Sequence, residues 1–282
     1  MKVYDRSLKQ YIYEKEYYRN SLNFLYNTLP GRGILKYILV RPSFSKLGAK
    51  YYCSRLSVRK IESFVEKHSV DVSEWNLNSF NSFNDFFKRK KEITCTLKAN
   101  ELPCVADSRL TVFPISSELL IDVKHSVYSL EELIGKELGT DEYRNGNCLI
   151  FRLALDDYHR YLYPDDGFLK DSYTIKGELH TVRPVSAKNH VYVRNSRTVS
   201  YLSTEHFGEM IMIEVGALMI GKIVNNTGRD FKKGEEKGHF EYGGSTIILL
   251  TNKDVIIDSD IIKQSEQGIE TKVKIGTMIG RK

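Results

Sequence analysis

From about residue 100 onwards the chain is a series of short β-prone runs, and this series constrains the fold more than any other feature. Gly, Asn and Asp residues separate each run from the next, as turns do between strands. The runs are Leu110–Ile115, Cys148–Leu155, Val191–Val193, Ile211–Val215, Ile220–Val224 and Ile247–Thr251. Residues 99–282 are therefore predicted to form a mostly antiparallel β-rich core with a few helices, one of them after Ser129.

The preceding part of the chain, residues 1–98, has a helical pattern. It contains few glycines, and its apolar residues recur at helical spacing, as Leu22, Leu25 and Leu29 do. The stretch Ser79–Phe87 begins with capping residues and aligns several phenylalanines. Packing between helices explains these aromatic stripes better than a ligand role does. The fold class is therefore predicted to be α+β, with a helical N-terminal region before the β-rich core.

The charge pattern argues against some partners and favours others. The chain has 282 residues and a formal net charge of +6. Its basic residues are scattered apart from short clusters at 88–91 and 232–233, and no nucleic-acid-binding module is visible, so no nucleic-acid partner is expected. A mild positive balance favours an anionic membrane surface instead. The apolar and basic segment Ile34–Lys50 is the candidate for that contact, although an ordinary surface helix has the same pattern.

The cysteines and apolar runs indicate the compartment. The four cysteines form no CxxC pair and have no metal-ligand spacing, so no metal site is predicted. No segment is typical of a signal peptide, and reduced thiols fit a cytoplasmic protein. The best apolar run, Ile211–Val224, is interrupted by charged residues and glycine and is too short to span a bilayer. We expect a cytoplasmic protein that is peripheral at the inner face of the cell membrane.

One serine stands in a chemically suggestive position. Gly243 and Gly244 precede Ser245 and Thr246, and a β-branched run follows directly. Glycines tolerate strained backbone angles, so the Ser245 Oγ is able to approach and attack the Gly244 carbonyl. The resulting ester, after β-elimination and hydrolysis, leaves a pyruvoyl group on residue 245. Taken alone, the tetrapeptide more often marks an ordinary hairpin turn or bulge.

Two further residues complete a candidate catalytic set. Asp107 lies in a turn before a predicted strand, and His159 follows the strand that begins at Cys148. In this interpretation Asp107 fixes the histidine tautomer, His159 deprotonates Ser245, and Ser245 attacks. Each residue also has a simpler explanation, since Asp107 suits a turn cap and His159 suits a hydrogen-bonded strand end. The presence of all three in this order favours catalysis.

Further motifs lie in a characteristic order along the chain, in the segments Phe83–Arg89, Ala106–Asp107, Asp157–Arg160, Val182–Pro184, Arg194–Arg197, Glu214–Ala217 and Lys233–Thr246. Through these segments the chain resembles, over nearly its whole length, the bacterial type of phosphatidylserine decarboxylase. The resemblance implies autocatalytic cleavage between Gly244 and Ser245. It also implies that the large chain, residues 1–244, stays associated with a small chain, residues 245–282, and that the protein is a homodimer.

The same resemblance implies the activity and the cofactor. The expected enzyme is a carboxy-lyase that converts phosphatidylserine to phosphatidylethanolamine and CO₂ at a membrane. Its expected cofactor is the self-generated pyruvoyl group at Ser245, which serves as a Schiff-base electron sink, with His159 as proton donor. The candidates for substrate binding are Tyr158, Arg160, Arg194 and Tyr242. For Arg160, a structural ion pair with Asp157 or Asp166 is the stronger alternative.

Two departures from the family pattern leave alternatives open. Many family members have a second histidine three residues after the first, where this chain has Leu162, and Ser196 stands where the family has a carboxylate. Either His159 serves both cleavage and catalysis, or a different histidine (His180, His190 or His239) assists, or cleavage is slow or absent. The alternative functions are a pyruvoyl decarboxylase for another amino-acid-type substrate and a non-processed binding protein.

Overall fold

The computed structural model describes residues 1–123, 126–139, 141–182, 190–218, 222–241 and 245–282. Its strands are β1 (Lys2–Asp5), β2 (Gln10–Tyr13), β3 (Glu101–Pro103), β4 (Ser108–Pro114), β5 (Leu120–Val123), β6 (Ser126–Ser129), β7 (Asn147–Leu153), β8 (Arg160–Leu162), β9 (Gly167–Ile175), β10 (Arg197–Thr204), β11 (Gly208–Val215), β12 (Ile223–Asn225), β13 (Asp230–Phe231), β14 (Glu236–Phe240), β15 (Ser245–Thr251), β16 (Ile256–Ile257), β17 (Glu270–Val273) and β18 (Met278–Arg281). Its α-helices are α1 (Arg19–Asn27), α2 (Leu29–Ile34), α3 (Pro42–Tyr52), α4 (Ile61–His68), α5 (Phe83–Phe87), α6 (Leu130–Ile134), α7 (Val191–Arg194) and α8 (Ser259–Glu266). A π-helix (Leu35–Leu39) and two 3-10 helices (Arg55–Lys60 and Leu77–Ser79) complete the helical elements of the described chain.

A large, mostly antiparallel sheet organises the molecule. Within the described residues it has ten strands, in the order β13-β9-β10-β11-β15-β7-β4-β17-β1-β2. Its ladders are antiparallel except for the parallel pair β1–β17. The predicted α+β fold with mostly antiparallel strands is thereby confirmed.

Both faces of the large sheet are buried. Successive side chains of a strand point to opposite sides, so a single strand contributes to the apolar cluster on each face. On β15, Ile247 and Leu249 belong to one apolar cluster, while Ile248 and Leu250 belong to another. We call the face of Ile247 the first face, and it is covered by the small sheets β12-β14-β8 and β16-β18-β3. The second face is covered by β5, β6 and α6. Ser245 shares the first face with Ile247, because the two are separated by two positions.

Side-chain caps mark the starts of two short helices. Ser129 and Glu132 form a reciprocal capping box at the start of α6, and Gly135 ends that helix with φ of 69°, a value that favours glycine. Ser82 caps α5 by accepting a hydrogen bond from the Asp85 amide. The cap of α6 was thus readable from the sequence, whereas α5 begins at Phe83 and not at the predicted start Ser79.

Two further sequence predictions differ from the structure. Residues 1–98 are predicted to be helical, but β1 and β2 precede the first helix and join the edge of the large sheet. Val3 is buried there against β17, a partner distant in sequence that no local pattern reveals. The predicted strand Val191–Val193 is a helical turn instead, because a three-residue apolar run does not distinguish helix from strand. The predicted division of the chain near residue 98 stays a prediction.

The phenylalanines of the N-terminal region form their own core. Phe83, Phe86 and Phe87 of α5 are buried together with Ile61 of α4. No helix in the described part of the chain is long and apolar enough to cross a membrane.

We expect Phe86→Ala to destabilise the protein by about 3–5 kcal/mol, because Phe86 is fully buried and its removal leaves a cavity between α4 and α5. Urea unfolding monitored by circular dichroism measures the effect. Leu56→Ala is the control, since Leu56 is 69% exposed and its truncation should change stability by at most about 0.5 kcal/mol. Equal losses for the two variants would contradict the assignment of this core.

Candidate active site

Three adjacent strands bring Ser245 and Asp107 to the same end of the large sheet. β15 begins at Ser245, which lies opposite Leu153, the last residue of β7. β4 begins at Ser108 on the other side of β7, and Asp107 immediately precedes it. Since neighbouring strands are about 4.8 Å apart, the starts of β15 and β4 are separated by roughly 10 Å across β7.

His159 is brought to the same end of the sheet by its backbone. It lies between β7 and β8, and its carbonyl accepts a hydrogen bond of 2.9 Å from the amide of Phe240. Phe240 ends β14, and the chain then returns to Ser245 within a few residues. The imidazole is fully buried, with its centroid 4.0 Å from that of the Phe87 ring. Helix α5 therefore contributes one wall of the histidine pocket.

A hydrogen bond defines the tautomer of the neutral His159 ring. Nδ1 lies 2.9 Å from the carbonyl oxygen of Asp157. A carbonyl oxygen only accepts, so Nδ1 carries the hydrogen and Nε2 keeps its lone pair. The sequence prediction gave this role to Asp107, but Asp107 Oδ1 accepts from the amide of Ile275 at 2.8 Å, and its carboxylate lies 3.5 Å from the Lys274 ammonium. The backbone carbonyl of Asp157, two residues before the histidine, takes the role that was predicted for Asp107.

The Asp157 carboxylate is itself held in place. Its Oδ2 accepts from the Ala154 amide at 2.7 Å and pairs with the buried Arg109 guanidinium. Burial by itself would raise the pKa of Asp157, but Arg109 and the amide hydrogen bond outweigh it and lower that pKa. The neighbouring Asp156 behaves in the opposite way, because burial and repulsion from Asp157 raise its pKa. Asp157 was not among the predicted catalytic residues, although two consecutive aspartates before Tyr158 and His159 were a visible signal.

Ser245 is fully buried, and its hydroxyl has no hydrogen-bond partner among the residues that the structure describes. A buried hydroxyl without a partner costs about 1–3 kcal/mol, so such groups call for an explanation. A nucleophile kept available for reaction is one. The predicted cleavage partner Gly244 and the predicted substrate contact Tyr242 lie outside the described residues.

The position of the missing second histidine is apolar. Leu162 ends β8, is buried, and packs with Tyr158 and Ile275. Its amide donates to the carbonyl of Val105 at 2.9 Å. Leucine therefore fills an apolar contact at this position instead of offering a second base.

The three histidines considered as alternative bases differ in their surroundings. His180 contacts the Tyr26 hydroxyl through Nδ1 and the Glu178 carboxylate through Nε2, so both ring nitrogens are engaged. The His190 ring lies 5.3 Å from that of Tyr128. His239 lies on β14 opposite Arg160, and burial together with that cation lowers the pKa of the imidazole.

Two of the predicted substrate contacts are occupied by structural interactions. The Tyr158 hydroxyl is buried and accepts from the Lys91 amide at 3.0 Å. The Arg160 guanidinium donates to the carbonyls of Lys88 and Arg89 and pairs with Glu236 at 2.6 Å. The predicted ion-pair partners of Arg160, Asp157 and Asp166, are therefore wrong. Glu236 on the neighbouring strand β14 takes that place, since β8 and β14 are paired.

Arg194 is more accessible than the other predicted contacts. It pairs with Glu178 at 2.6 Å and is about half exposed. Together with Arg32 and Lys36 it lines a cavity of about 150 Å³.

A buried ion pair near Ser245 was not predicted. Glu214 lies opposite Ile247 and so shares the first face with Ser245, diagonal to it across the β11–β15 ladder. Lys237 of β14 donates to Glu214 at 2.7 Å, and both side chains are almost completely buried. Asn225 donates to the second carboxylate oxygen and accepts from the Tyr161 hydroxyl. The sequence signal was a glutamate inside the apolar run Ile211–Val215.

The fold and the site define a class of protein. It is an α+β protein in which a buried serine, at the start of a central strand, shares one end of a mostly antiparallel sheet with a buried histidine and an aspartate. A family model described as phosphatidylserine decarboxylase matches residues 80–281. The chain belongs to the phosphatidylserine decarboxylase family, whose activity is that of a carboxy-lyase, as the resemblance implied.

Relatives match over nearly their whole lengths. The chain is 46% identical to "phosphatidylserine decarboxylase proenzyme 2" of Clostridium acetobutylicum, with 99% of this chain and 97% of the relative covered. It is 39% identical to the phosphatidylserine decarboxylase proenzyme of Clostridium tetani, covering 100% of this chain and 98% of the relative. For the proenzyme of Ruminiclostridium cellulolyticum the identity is 38%, covering 99% and 97%. Enzymes of this family depend on a pyruvoyl group.

We expect Lys237→Met to destabilise the protein by about 3–5 kcal/mol, because it leaves the Glu214 carboxylate buried without its cation. The double variant Glu214→Leu with Lys237→Met removes both charges and should recover most of that loss. Urea unfolding of the two variants and the parent measures the difference. A double variant that is as unstable as Lys237→Met would show that the pairing of charges is not the cause.

Proposed function

We propose that this protein converts phosphatidylserine to phosphatidylethanolamine and CO₂ after it cleaves itself between Gly244 and Ser245. Family membership and the proenzyme names of its relatives support this proposal. The observation that carries it is the buried Ser245 hydroxyl, without a partner among the described residues, at the sheet end that also holds His159 and Asp107.

The proposed cleavage uses groups of this chain together with water. His159 Nε2 removes the proton of the Ser245 hydroxyl, and Oγ attacks the carbonyl carbon of Gly244. The peptide nitrogen leaves as the amine of residue 245, so that the amide becomes an ester. Loss of the Cα proton expels the Gly244 carboxylate and leaves dehydroalanine at position 245. Water then replaces the nitrogen as ammonia departs, and a ketone remains.

Residue 245 suits a pyruvoyl group because the Ser245 hydroxyl is buried and has no hydrogen-bond partner among the described residues. The position begins a strand that is paired on both sides, with Leu153 of β7 opposite Ser245 and Val215 of β11 opposite Thr246. When present, the pyruvoyl ketone supplies the electron sink for loss of CO₂ from an amino acid. His159, once protonated, is our choice for returning a proton to the substrate carbon, because its buried ring is fixed by Asp157 and Phe87.

Asp107 has an anchoring role in this proposal. It accepts from the Ile275 amide, and Ile275 packs on Tyr158 and Leu162, the residues on either side of the histidine segment. Asp107 thereby ties the segment after β17 to the wall beside His159. After the proposed cleavage Ile275 would belong to the small chain and Asp107 to the large chain, so their hydrogen bond would join the two chains.

Arg194 is the substrate contact that the structure favours among the predicted set. Its cavity contains three cations and the Glu178 carboxylate, a balance that suits a phosphate. Asn195, beside it, donates to the carbonyls of His180 and Gly216, and Gly216 directly follows β11 at the Ser245 end. The cavity is therefore close to the reactive end of the sheet. A homodimer stays a prediction.

The helices before residue 60 offer a surface for the membrane. Large apolar side chains are exposed there beside basic ones, a combination typical of interfacial helices. The exposed apolar residues are Leu29, Ile34, Tyr37, Ile38, Leu47 and Leu56. The basic residues among them are Arg32, Lys36, Arg41, Lys46, Lys50 and Arg55. We propose that this surface holds the protein at the inner face of the cell membrane, where its substrate lies.

We expect the purified protein to contain two chains, residues 1–244 and 245–282, the smaller blocked by a ketone, as intact mass spectrometry would show. Ser245→Ala should remain a single chain of 32.6 kDa, because it lacks the nucleophile. His159→Ala should cleave slower by a factor on the order of 10²–10⁴, because the base is lost.

The controls are Ser203→Ala, whose hydroxyl donates to Glu209, together with His190→Ala and His239→Ala. All three should be cleaved normally. Cleavage of Ser245→Ala, or loss of cleavage in His239→Ala alone, would overturn the assignment. CO₂ release from phosphatidylserine vesicles tests the substrate, and release from another amino acid but not from the lipid would favour the alternative decarboxylase.

We expect the double variant Tyr37→Ser with Ile38→Ser to bind vesicles of anionic and neutral lipid at least about tenfold more weakly than the parent, because two exposed apolar side chains are lost. Co-sedimentation measures the partition. Phe168→Ser, in the exposed strand β9, is the matched control and should bind like the parent. Equal weakening by the control would refute this membrane surface.

A further inference from the structure

A residue outside the matched family region reaches the candidate active site. Glu14 follows β2, whereas the family model begins at residue 80. Its carboxylate accepts from the Arg109 guanidinium at three points, with Nε at 3.0 Å from each oxygen and Nη2 at 2.5 Å from Oε1. The two residues are thus joined in a bidentate ion pair, the geometry that best fixes a guanidinium.

Arg109 connects this carboxylate to the histidine segment. Only 2% of its side chain is exposed, and its Nη1 pairs with Asp157 while Nη2 lies 3.5 Å from Asp156. Burial lowers the pKa of a guanidinium, but the attraction of Asp157 and Glu14 outweighs it, so the pKa of Arg109 is raised. Three carboxylates therefore share one permanently charged cation.

The last link runs from Asp157 to the imidazole. The Asp157 side chain is held at two points, by Arg109 and by the Ala154 amide, which fixes the orientation of that residue. The carbonyl of the same residue accepts from His159 Nδ1. If the carboxylate is released, the peptide is free to rotate and the hydrogen bond that selects the tautomer is weakened.

The backbone of Glu14 is also held firmly. Its amide donates to the Met1 carbonyl at 2.9 Å, and the N-terminal ammonium donates to its carbonyl at 2.7 Å. β1 and β2 pair with each other, and β1 pairs with β17 of the large sheet. The N-terminal strands thus give the Glu14 carboxylate a fixed position from which to hold Arg109.

We propose that Arg109 and Glu14 are positioning residues, which keep His159 in its reactive orientation and tautomer by clamping Asp157. The N-terminal strand pair is then part of the active-site scaffold. This inference rests on the proposed function for the role of His159, although the orientation of the ring is measurable without any reaction.

The first test reads the tautomer directly. Ser245→Ala protein, full length and uncut, is labelled with ¹⁵N-histidine, and His159→Gln identifies the His159 signals in long-range ¹H–¹⁵N spectra. The parent should show the Nδ1–H tautomer. Adding Arg109→Gln or Glu14→Gln should give a mixture of the two tautomers, while Arg109→Lys should restore part of the parent signal.

The second test reads the rate of self-cleavage in protein that retains Ser245. Arg109→Gln should slow it by a factor on the order of a hundred, because a small misplacement of a catalytic group has that effect. Glu14→Gln should slow it less, since Arg109 still contacts Asp157, and it guards against a failure of Arg109→Gln to fold.

Two matched controls separate positioning from stability. Arg152→Gln breaks the equally buried ion pair with Glu270 in the neighbouring strand, and Glu16→Gln changes an exposed glutamate two residues after Glu14. Both should leave the tautomer unchanged. An unchanged tautomer in Arg109→Gln, or equal changes in the controls, would overturn the inference. If Ser245→Ala protein shows the expected tautomer of His159 but the unmodified protein never cleaves itself, the proposed function is refuted instead.

Discussion

The pairing of β15 with a strand on each side is the constraint on which the rest of this structure depends. All seven residues of β15 are buried, and the strand lies between β11 and β7 in the middle of the large sheet. The backbone of the serine at its first position is therefore held by the ladder to β7. In the proposed cleavage, β15 and β17 belong to the small chain, and each lies between two strands of the large chain. Each of these two strands is hydrogen-bonded to a large-chain strand on both sides, which explains how the chains would stay together after the bond is cut.

Several buried charged side chains lie at the same end of the sheet, some on its first face and some on its second. Arg109 and Arg152 lie opposite each other across β4 and β7 and share the second face with Thr246. Glu214 and Lys237 lie on the first face with Ser245. Buried ion pairs add little net stability compared with apolar packing. Their concentration near one serine is therefore better explained by the site than by the fold.

Local patterns predicted some of the elements, and long-range contacts decided the site. The β-prone run at Ile247 and the capping residue Ser129 are local signals, and the structure has a strand and a helix there. Glu14 and Arg109 are 95 residues apart in the sequence, and no local pattern in either segment predicts their contact. For the same reason β1 was missed, since its partner β17 lies near the other end of the chain. Ordered motifs selected His159 and Ser245 as candidates, and their catalytic roles stay predictions.

Leu162 shows how the surroundings of a position restrict the mechanism. Its side chain lies among Tyr158, Ile275 and Trp75, an apolar setting in which a second imidazole would be desolvated without a polar partner from these neighbours. The ring nitrogens of His180 are both engaged, and the pKa of His239 is lowered by burial and by Arg160. His159 differs from them because its Nδ1 is bonded to a backbone carbonyl, which leaves a defined lone pair on Nε2. In the proposed mechanism one imidazole therefore takes the proton from Ser245 during cleavage and later gives a proton to the substrate carbon. A single residue with both tasks makes its orientation more important, which is why the clamp on Asp157 matters.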